Sequence, residues 1–382
     1  MNFLRRHAST IIIIIAVSAV VIFFNSFPIW LAYTHAPQEM SFTGQASWFD
    51  PWDINVYVSV IRWGQHHSIL IENSYTSEPN QAILQYPLYA LAGKLFREIN
   101  PFLLFHLLAT FCSIILISTL VLIVRRLLSN NKEVLISVLI MCIGGGLGFM
   151  IHLGQDSMDA SVTSVTLHSA FQRAHEGIAL AAFFLALFGF YFWLQQRQTR
   201  WQLITQIALI IAVIQYPQNI ASFTLITAAY IWTQQRKVHW KNPEWRFWFA
   251  TILIGVLTAA AMTLNLQNND SFSGVIMMSL SHPSVSSFIF GYGLLLLLFL
   301  YQTFFVQPKT EIQRFLTIWV LSCVALSLIP VGFSRFFLRG LYVPLTLLAV
   351  YTNKQPRCRA YGVWCTYDTV SNSPSVVLCN FV

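Results

Sequence analysis

The sequence predicts an all-α fold, a polytopic bundle of transmembrane helices with a helical first outer loop. Three observations carry that prediction. Of 382 residues, 56% are apolar and 9% charged, whereas an ordinary soluble domain has about 25% charged residues. Apolar stretches long enough to cross a bilayer, which takes ~20 helical residues, recur along the chain. Most of the 22 Lys and Arg cluster beside alternate ends of these stretches, as the positive-inside rule expects of cytoplasmic loops.

The first span covers residues 10–33, opening on a run of isoleucines behind MNFLRRHAS. A basic start and an apolar core also describe a secretory signal. This run, however, exceeds the roughly 7–15 residues of a signal core, and no small-x-small cleavage pattern precedes FNSFPIW. It is therefore predicted to stay as a span with a cytoplasmic N-terminus. Residues 34–100 form a first outer loop ending in ILQYPLYALAGKLFREI, apolar but short, which predicts an interfacial or re-entrant helix. Spans follow at 101–124, 134–153 and 177–194, with a second outer loop at 154–176.

The stretch 203–232 has basic clusters at both ends. A single crossing would violate the charge rule, so two short helices broken at IQYPQN are predicted, with Pro217 removing a backbone donor. The break admits either a polar cavity near Tyr216, Gln218 and Asn219 or a tight turn between tilted helices. Further spans fall at 247–266, 286–306, 315–331 and 337–351. The total is about eight full crossings plus the broken pair, and its parity returns the tail to the cytoplasm. Residues 1–351 thus form one transmembrane domain.

Residues 352–382 change character, holding Cys358, Cys365 and Cys379 without metal-ligand spacing. This polar tail is expected to be a truncation or frame-change artefact. Cys112, Cys142 and Cys323 lie inside spans, where a small buried thiol is expected.

The net charge of +8 follows the loops, so it reports topology and excludes nucleic acid as the partner it would otherwise suggest. Most of the 14 acidic residues go the other way, into outer loops. No Walker sequence, nucleotide-binding glycine motif, nucleophilic triad or zinc signature is present. The GGGLG run from Gly144 to Gly148 is placed inside a span, where small residues let helices approach closely.

Candidate chemistry gathers in the outer loops. Asp50 before Pro51 has the form of a helix N-cap, which puts Asp53 in the first turn, where its charge suits the helix dipole. Asp53 and Tyr57 share one face, and Trp52, Val56, Val60 and Trp63 line another, suited to lying on the bilayer or the bundle. Asp50 reads as a cap before it reads as a catalyst, while Asp53 serves equally as a dipole partner and as a functional acid, the latter being the default for carboxylates at the edge of a membrane bundle. Arg173, His175 and Glu176 form a polar knot at the mouth of a span. Arg335 and Arg339 are expected on one helix face at the outer end of the last span. They suit phosphate through paired hydrogen bonds, or else snorkel to lipid headgroups. The adjacent His66 and His67 point apart and make a poor metal pair.

The spacing of Asp53 and Tyr57, then Gly64, NSYTSEP with Tyr75 and Glu78, and YPLY resembles the first outer loop of GT-C type membrane glycosyltransferases. The likeness is to a bacterial branch related to lipid A core and polyprenyl-phosphate-mannose-dependent enzymes. It extends to about residue 350 and is strongest over 45–97. A second echo is QDSMDASVTSVTLHSAFQRAHEG, with Ala174 where the family has proline before histidine. A third is PVGFSRFFLRGLYVP, similar to a family Arg-Gly-Pro segment, beyond which family chains usually run on.

The resemblance implies transfer of a sugar from a polyprenyl-phosphate donor to an acceptor hydroxyl on a glycan, lipid or protein, at the outer face of a bacterial plasma membrane. It implies Asp53 as base, with Asp50 second, and Tyr57, Tyr75, Glu78, Arg173, His175, Arg335 and Arg339 in substrate binding. No particular cofactor is identified, and Asp156 and Asp159 are the candidates for holding a divalent metal ion. A secondary transporter or lipid-linked oligosaccharide flippase is the competing class, supported by the broken pair and opposed by the scarcity of ionisable residues in mid-span. A non-catalytic scaffold is a third class, with no need of two acidic outer loops.

Overall fold

The computed structural model describes residues 2–37, 39, 42–47, 53–77, 80–148, 165–236, 241–267, 284–306 and 310–353. Among these residues the fold is helical throughout, apart from one isolated bridge pairing Ile71 with Ile83. Asp50, Trp52, Glu78, Asp156, Asp159, Gly148's successors to 164 and the tail from 354 lie outside the described residues.

Helix α1 spans Asn2–Thr34, and at 1.5 Å per residue its length of about 50 Å exceeds the ~30 Å of a hydrocarbon core. In the loop after it lie α2, Ile54–His66, and α3, Pro87–Leu95. Helix α4, Pro101–Leu127, starts cleanly because the Asn100 side chain accepts from the backbone N–H groups of Phe102 and Leu103, with Pro101 in the first turn. Then come α5, Asn131–Ile143, the short α6, Leu167–Ala170, and α7, Ala174–Gln196. The expected interruption is present: α8, Thr199–Gln215, and α9, Asn219–Gln235, meet at a turn containing Pro217. Helix α10 covers Pro243–Gln267, and α11, Val285–Tyr301, is kinked at Gly293 and ends in a π-helical turn. Helix α12, Glu311–Ser327, begins with a capping box between Thr310 and Gln313. A 3-10 turn, Ser334–Leu338, leads to α13, Tyr342–Asn353.

Among the described residues, five helices are long and apolar enough to cross a membrane: α1 from His7, α4, α7, α10 and α11 with its π turn. Their burial sorts them. In α7, 83% of the apolar stretch is buried, against 28% in α1 and 22% in α10. Helix α7 is apolar all round and occupies the centre. Its Phe183, Phe184 and Phe188 pack on Trp319 of α12. The outer faces of α1, α4, α10 and α11 expose large apolar side chains such as Ile12, Phe111, Leu253 and Leu294. Outward apolar faces of this extent are what a lipid solvent, rather than water, stabilises.

The bundle has two chemically distinct ends. At one, Arg125 donates to Thr10 and Ser9, Tyr351 donates to the Leu127 carbonyl, Arg197 pairs with Glu244, and Glu311 accepts from Tyr230 and Gln234. At the other, Asn25 donates to the Phe171 carbonyl, and the Asn265 side chain exchanges two hydrogen bonds with the Leu84 backbone. Among the described residues, Arg125, Arg197 and Arg314 make their polar contacts at the first end.

Two sequence expectations are corrected. Helix α5 stops at Ile143 instead of running to residue 153, and Gly144 to Gly146 are not helical. The bare backbone there meets α11 at its kink, where the Leu147 N–H donates to the Phe290 carbonyl at 2.7 Å, so close approach is achieved at an interruption of the helix. The stretch 337–351 is not one helix, because Gly340 at φ +70° separates the 3-10 turn from α13, and a Cβ there would strike the Phe184 ring. Of the two placements expected for the first-loop helix, against the bilayer or against the bundle, the second is seen. Ile54, Val58, Val60 and Ile61 of α2 are buried against α3 and α4.

Candidate functional site

The site begins with the clasp of α2 on α3. A Cβ at Gly64 would run into the Ala90 carbonyl, and one at Gly93 into the Ile61 carbonyl, so two glycines allow backbone-to-backbone approach. That approach stacks rings. Tyr57 of α2 lies 5.0 Å from Tyr89 and 6.0 Å from Phe105 of α4, with Tyr86 edge-on at 5.2 Å. Tyr86 sits in the left-handed region at φ 48° immediately before Pro87, a strained conformation for a bulky residue. The sequence provides no glycine there, and the strain holds the Tyr86 ring between Tyr57 and His175.

The N-terminus of α7 closes over these rings. His175 is buried with its ring 4.8 Å from Tyr57, and its Nδ1 is 3.0 Å from the Tyr89 hydroxyl. The phenol donates in this bond when the imidazole carries its proton on Nε2. Burial pushes the phenols of Tyr57 and Tyr89 well above their usual range. Tyr86 is raised as well, by burial first and then by the Asp53 carboxylate. All three are neutral donors at physiological pH.

Arg173, just before α7, is the hub. Its guanidinium lies 3.2 Å from the Asp53 carboxylate and 3.4 Å from that of Glu176, and 5.9 Å from the Tyr57 ring centroid. Arg173 and Glu176 are almost wholly buried, whereas the Asp53 side chain is 44% exposed. Asp53 therefore presents a fixed carboxylate to the exterior of the protein. It immediately precedes α2 rather than lying inside its first turn, and its side chain caps nothing. The carboxylate is drawn to Arg173 instead of the helix amides.

The α8–α9 turn supplies the opposite wall. Tyr216 lies 5.9 Å from the His175 ring, and the Arg339 guanidinium is held between Tyr216, at 3.8 Å, and Phe336, at 4.2 Å. Such stacking suits arginine. Arg335 reaches Phe336 from its own position, 5.4 Å from the ring. Burial, and then the neighbouring Arg339 charge, lower the Arg335 pKa. Two cations in a partly dry setting favour an anion beside them. These arginines were expected on one face of an α-helix. They lie on a 3-10 turn and at its end, brought together by the shared Phe336 ring.

The structure thus joins Asp53, Tyr57, Arg173, His175 and Arg339 in one cluster, with Arg335 at its edge. Tyr57, expected to face a bound molecule from the surface, is 4% exposed and acts inside the stack. Tyr75 is 64% exposed on a turn whose backbone is held by Asn73, away from the stacked rings. Asp50, Glu78, Asp156 and Asp159 lie outside the described residues. Tyr86, Tyr89 and Phe105 were not singled out, although the first two form the ends of the YPLY motif. Among the described residues no three His, Cys, Asp or Glu side chains converge as a metal site.

The cluster sets three guanidinium groups, Arg173, Arg335 and Arg339, against the carboxylates of Asp53 and Glu176. It can hold an anion on its Arg335–Arg339 side and offer a carboxylate on its Asp53 side. No family model matches the chain, and no curated protein matches it.

Proposed function

We propose that this protein is a membrane glycosyltransferase that moves a sugar from a polyprenyl-phosphate donor to an acceptor hydroxyl. One observation carries the proposal: an accessible carboxylate and a pair of stacked arginines, from opposite ends of the sequence, meet at one end of an apolar helical bundle. In this reading the acceptor oxygen attacks the anomeric carbon while the bond from that carbon to the phosphate oxygen breaks. The polyprenyl phosphate leaves with the bonding pair, and Arg335 and Arg339 stabilise its charge. The acceptor proton passes to Asp53 and from there to water. Arg173 orients Asp53, and the neutral phenols of Tyr57 and Tyr86 line the wall behind it.

The same proposal includes a GT-C-like architecture of about eight crossings plus the broken pair, with the site on the outer face of a bacterial plasma membrane and the N-terminus in the cytoplasm. The 17-residue helices α8, α9 and α12 are at the short limit for crossing, roughly 17–25 residues. The gathering of basic residues at the end away from the site supports the orientation.

The test is discharge of radiolabelled polyprenyl-phosphate mannose by the purified protein in liposomes containing envelope lipid extract, then extension to other sugars. Asp53→Asn is expected to lower the rate by roughly 10²–10⁴. Equal rates in the two proteins would remove Asp53 from the chemistry. A secondary transporter or lipid-linked oligosaccharide flippase is the second reading, favoured by the interruptions at Pro217 and Gly293. Solute or lipid movement without sugar transfer, in the same liposomes, would select it.

A further inference from the structure

A second site lies on the other side of Phe105 from the stacked tyrosines, between α1 and α4. A groove of about 410 Å³, bordered by Ile29, Trp30, Tyr33, Leu103 and Leu107, opens sideways where these helices expose apolar residues to lipid. Its volume falls within the roughly 300–1,000 Å³ of small-molecule sites. Ser26, Ile29, His106 and Thr110 are shared with a deeper notch of about 40 Å³, room for a single small polar group.

The notch is polar but carries no guanidinium, ammonium or carboxylate group in its lining. The Asn25 amide donates through Nδ2 to the Phe171 carbonyl at 3.1 Å, while its Oδ1 is buried without a hydrogen-bond partner. His106 donates through Nε2 to the Gly44 carbonyl at 2.8 Å, so in the neutral ring its Nδ1 is an acceptor. A buried acceptor left unmatched is unfavourable, and a hydroxyl group is the small uncharged donor that would satisfy it. Exposed Trp30 and Tyr33 flank the mouth, the residue types that mark the level of a membrane interface.

We infer that the notch and groove together bind a membrane-dissolved amphiphile, its uncharged hydroxyl in the notch beside Asn25 and its apolar chain in the groove between α1 and α4. The site is separate from the arginine cluster, and the inference does not depend on the transferase reading. Its chemistry selects a long-chain alcohol over the corresponding phosphate ester, the reverse of the selection expected beside Arg335 and Arg339.

The test uses the full chain in phosphatidylcholine nanodiscs and a photoactivatable long-chain alcohol, with crosslinked peptides mapped by mass spectrometry. Saturable labelling of α1 and α4 is expected, competed by unlabelled alcohol and at least about tenfold less by its phosphate ester. Thr110→Phe, which fills the shared mouth, should abolish the labelling. The near-isosteric Asn25→Leu should weaken it several-fold without altering the melting temperature, and Leu253→Phe on the remote face of α10 should leave it intact. Labelling spread over every lipid-facing helix, an equally competitive phosphate ester, or an unaffected Thr110→Phe protein would each overturn the inference. Absence of saturable labelling would mean that the notch holds water only, and would overturn it too.

Discussion

Arg173 serves two carboxylates of opposite character, one buried with it and one open to the outside. Removing Arg173 takes the cation from beside the buried Glu176, 1% exposed, and breaking a buried pair costs about 3–5 kcal/mol. Removing the charge of Asp53 touches a half-exposed partner, and exposed pairs contribute only about 0–1 kcal/mol. The two substitutions should therefore separate. Arg173→Ala lowers the melting temperature in detergent sharply and abolishes transfer, whereas Asp53→Asn slows transfer by the roughly 10²–10⁴ of a lost base with little change in melting. Equal melting losses would show that Asp53 is only a structural partner. The tyrosines give a second measurement. With folded-state values raised for Tyr57, Tyr86 and Tyr89, their stabilising effect is complete below the unfolded value of about 10 and is lost as pH rises through the folded values. Ultraviolet titration should show a group of phenols that ionise only on alkaline unfolding, reduced in Tyr57→Phe. Residue types were legible in the sequence, since Asp53, Arg173, His175 and Arg339 were all singled out. Their partners were not, because Asp53 meets Arg173 across more than a hundred residues of chain, and no local spacing encodes that distance.

Helix α3 exists to put Tyr86 and Tyr89 on Tyr57, and its close contact with α2 is the weak point of the arrangement. Gly93→Val would force a branched side chain against the Ile61 backbone, an overpacking of about 1–3 kcal/mol or more where backbone must move. The expected result is a lower melting temperature together with lost transfer, while Leu91→Ala on the exposed side of α3 changes neither. Full activity in Gly93→Val would mean that the ring stack tolerates separation and is not part of the site. The helices with strong local signals were readable, as at the Pro217 break. Those decided by tertiary approach were not. Nothing in GGGLG distinguishes a glycine run inside a helix from one that ends it, and the outcome here follows from the α11 backbone packing against Gly146. Likewise, Arg335 and Arg339 fit helical spacing equally well, and only Gly340 at positive φ shows that the last helix starts after them.

At the scale of the whole molecule, charge divides the bundle. Arg125, Arg197 and Arg314 join caps and ion pairs at one end, and the Arg173 cluster lies at the other with the ends of α1 and α10 beside it. The distribution of Lys and Arg along the sequence is what predicts such a division, because lipid restricts where a charge can sit more severely than any core does. A proposal that needs a lipid-borne donor from outside the cytoplasm requires the cluster end to face outward. Single cysteines in a background lacking the native ones test this directly, with His67→Cys beside the site and Gln235→Cys at the basic end. His67 is exposed next to α2, and Gln235 is half-buried at the end of α9. In intact cells an impermeant maleimide should label position 67 alone, and permeabilisation should add position 235. The reverse pattern would place the arginines on the side where nucleotide sugars are available. The stacked pair at Phe336 would then have no need of a membrane-bound phosphate, and the transferase proposal would fail however well the individual side chains fit.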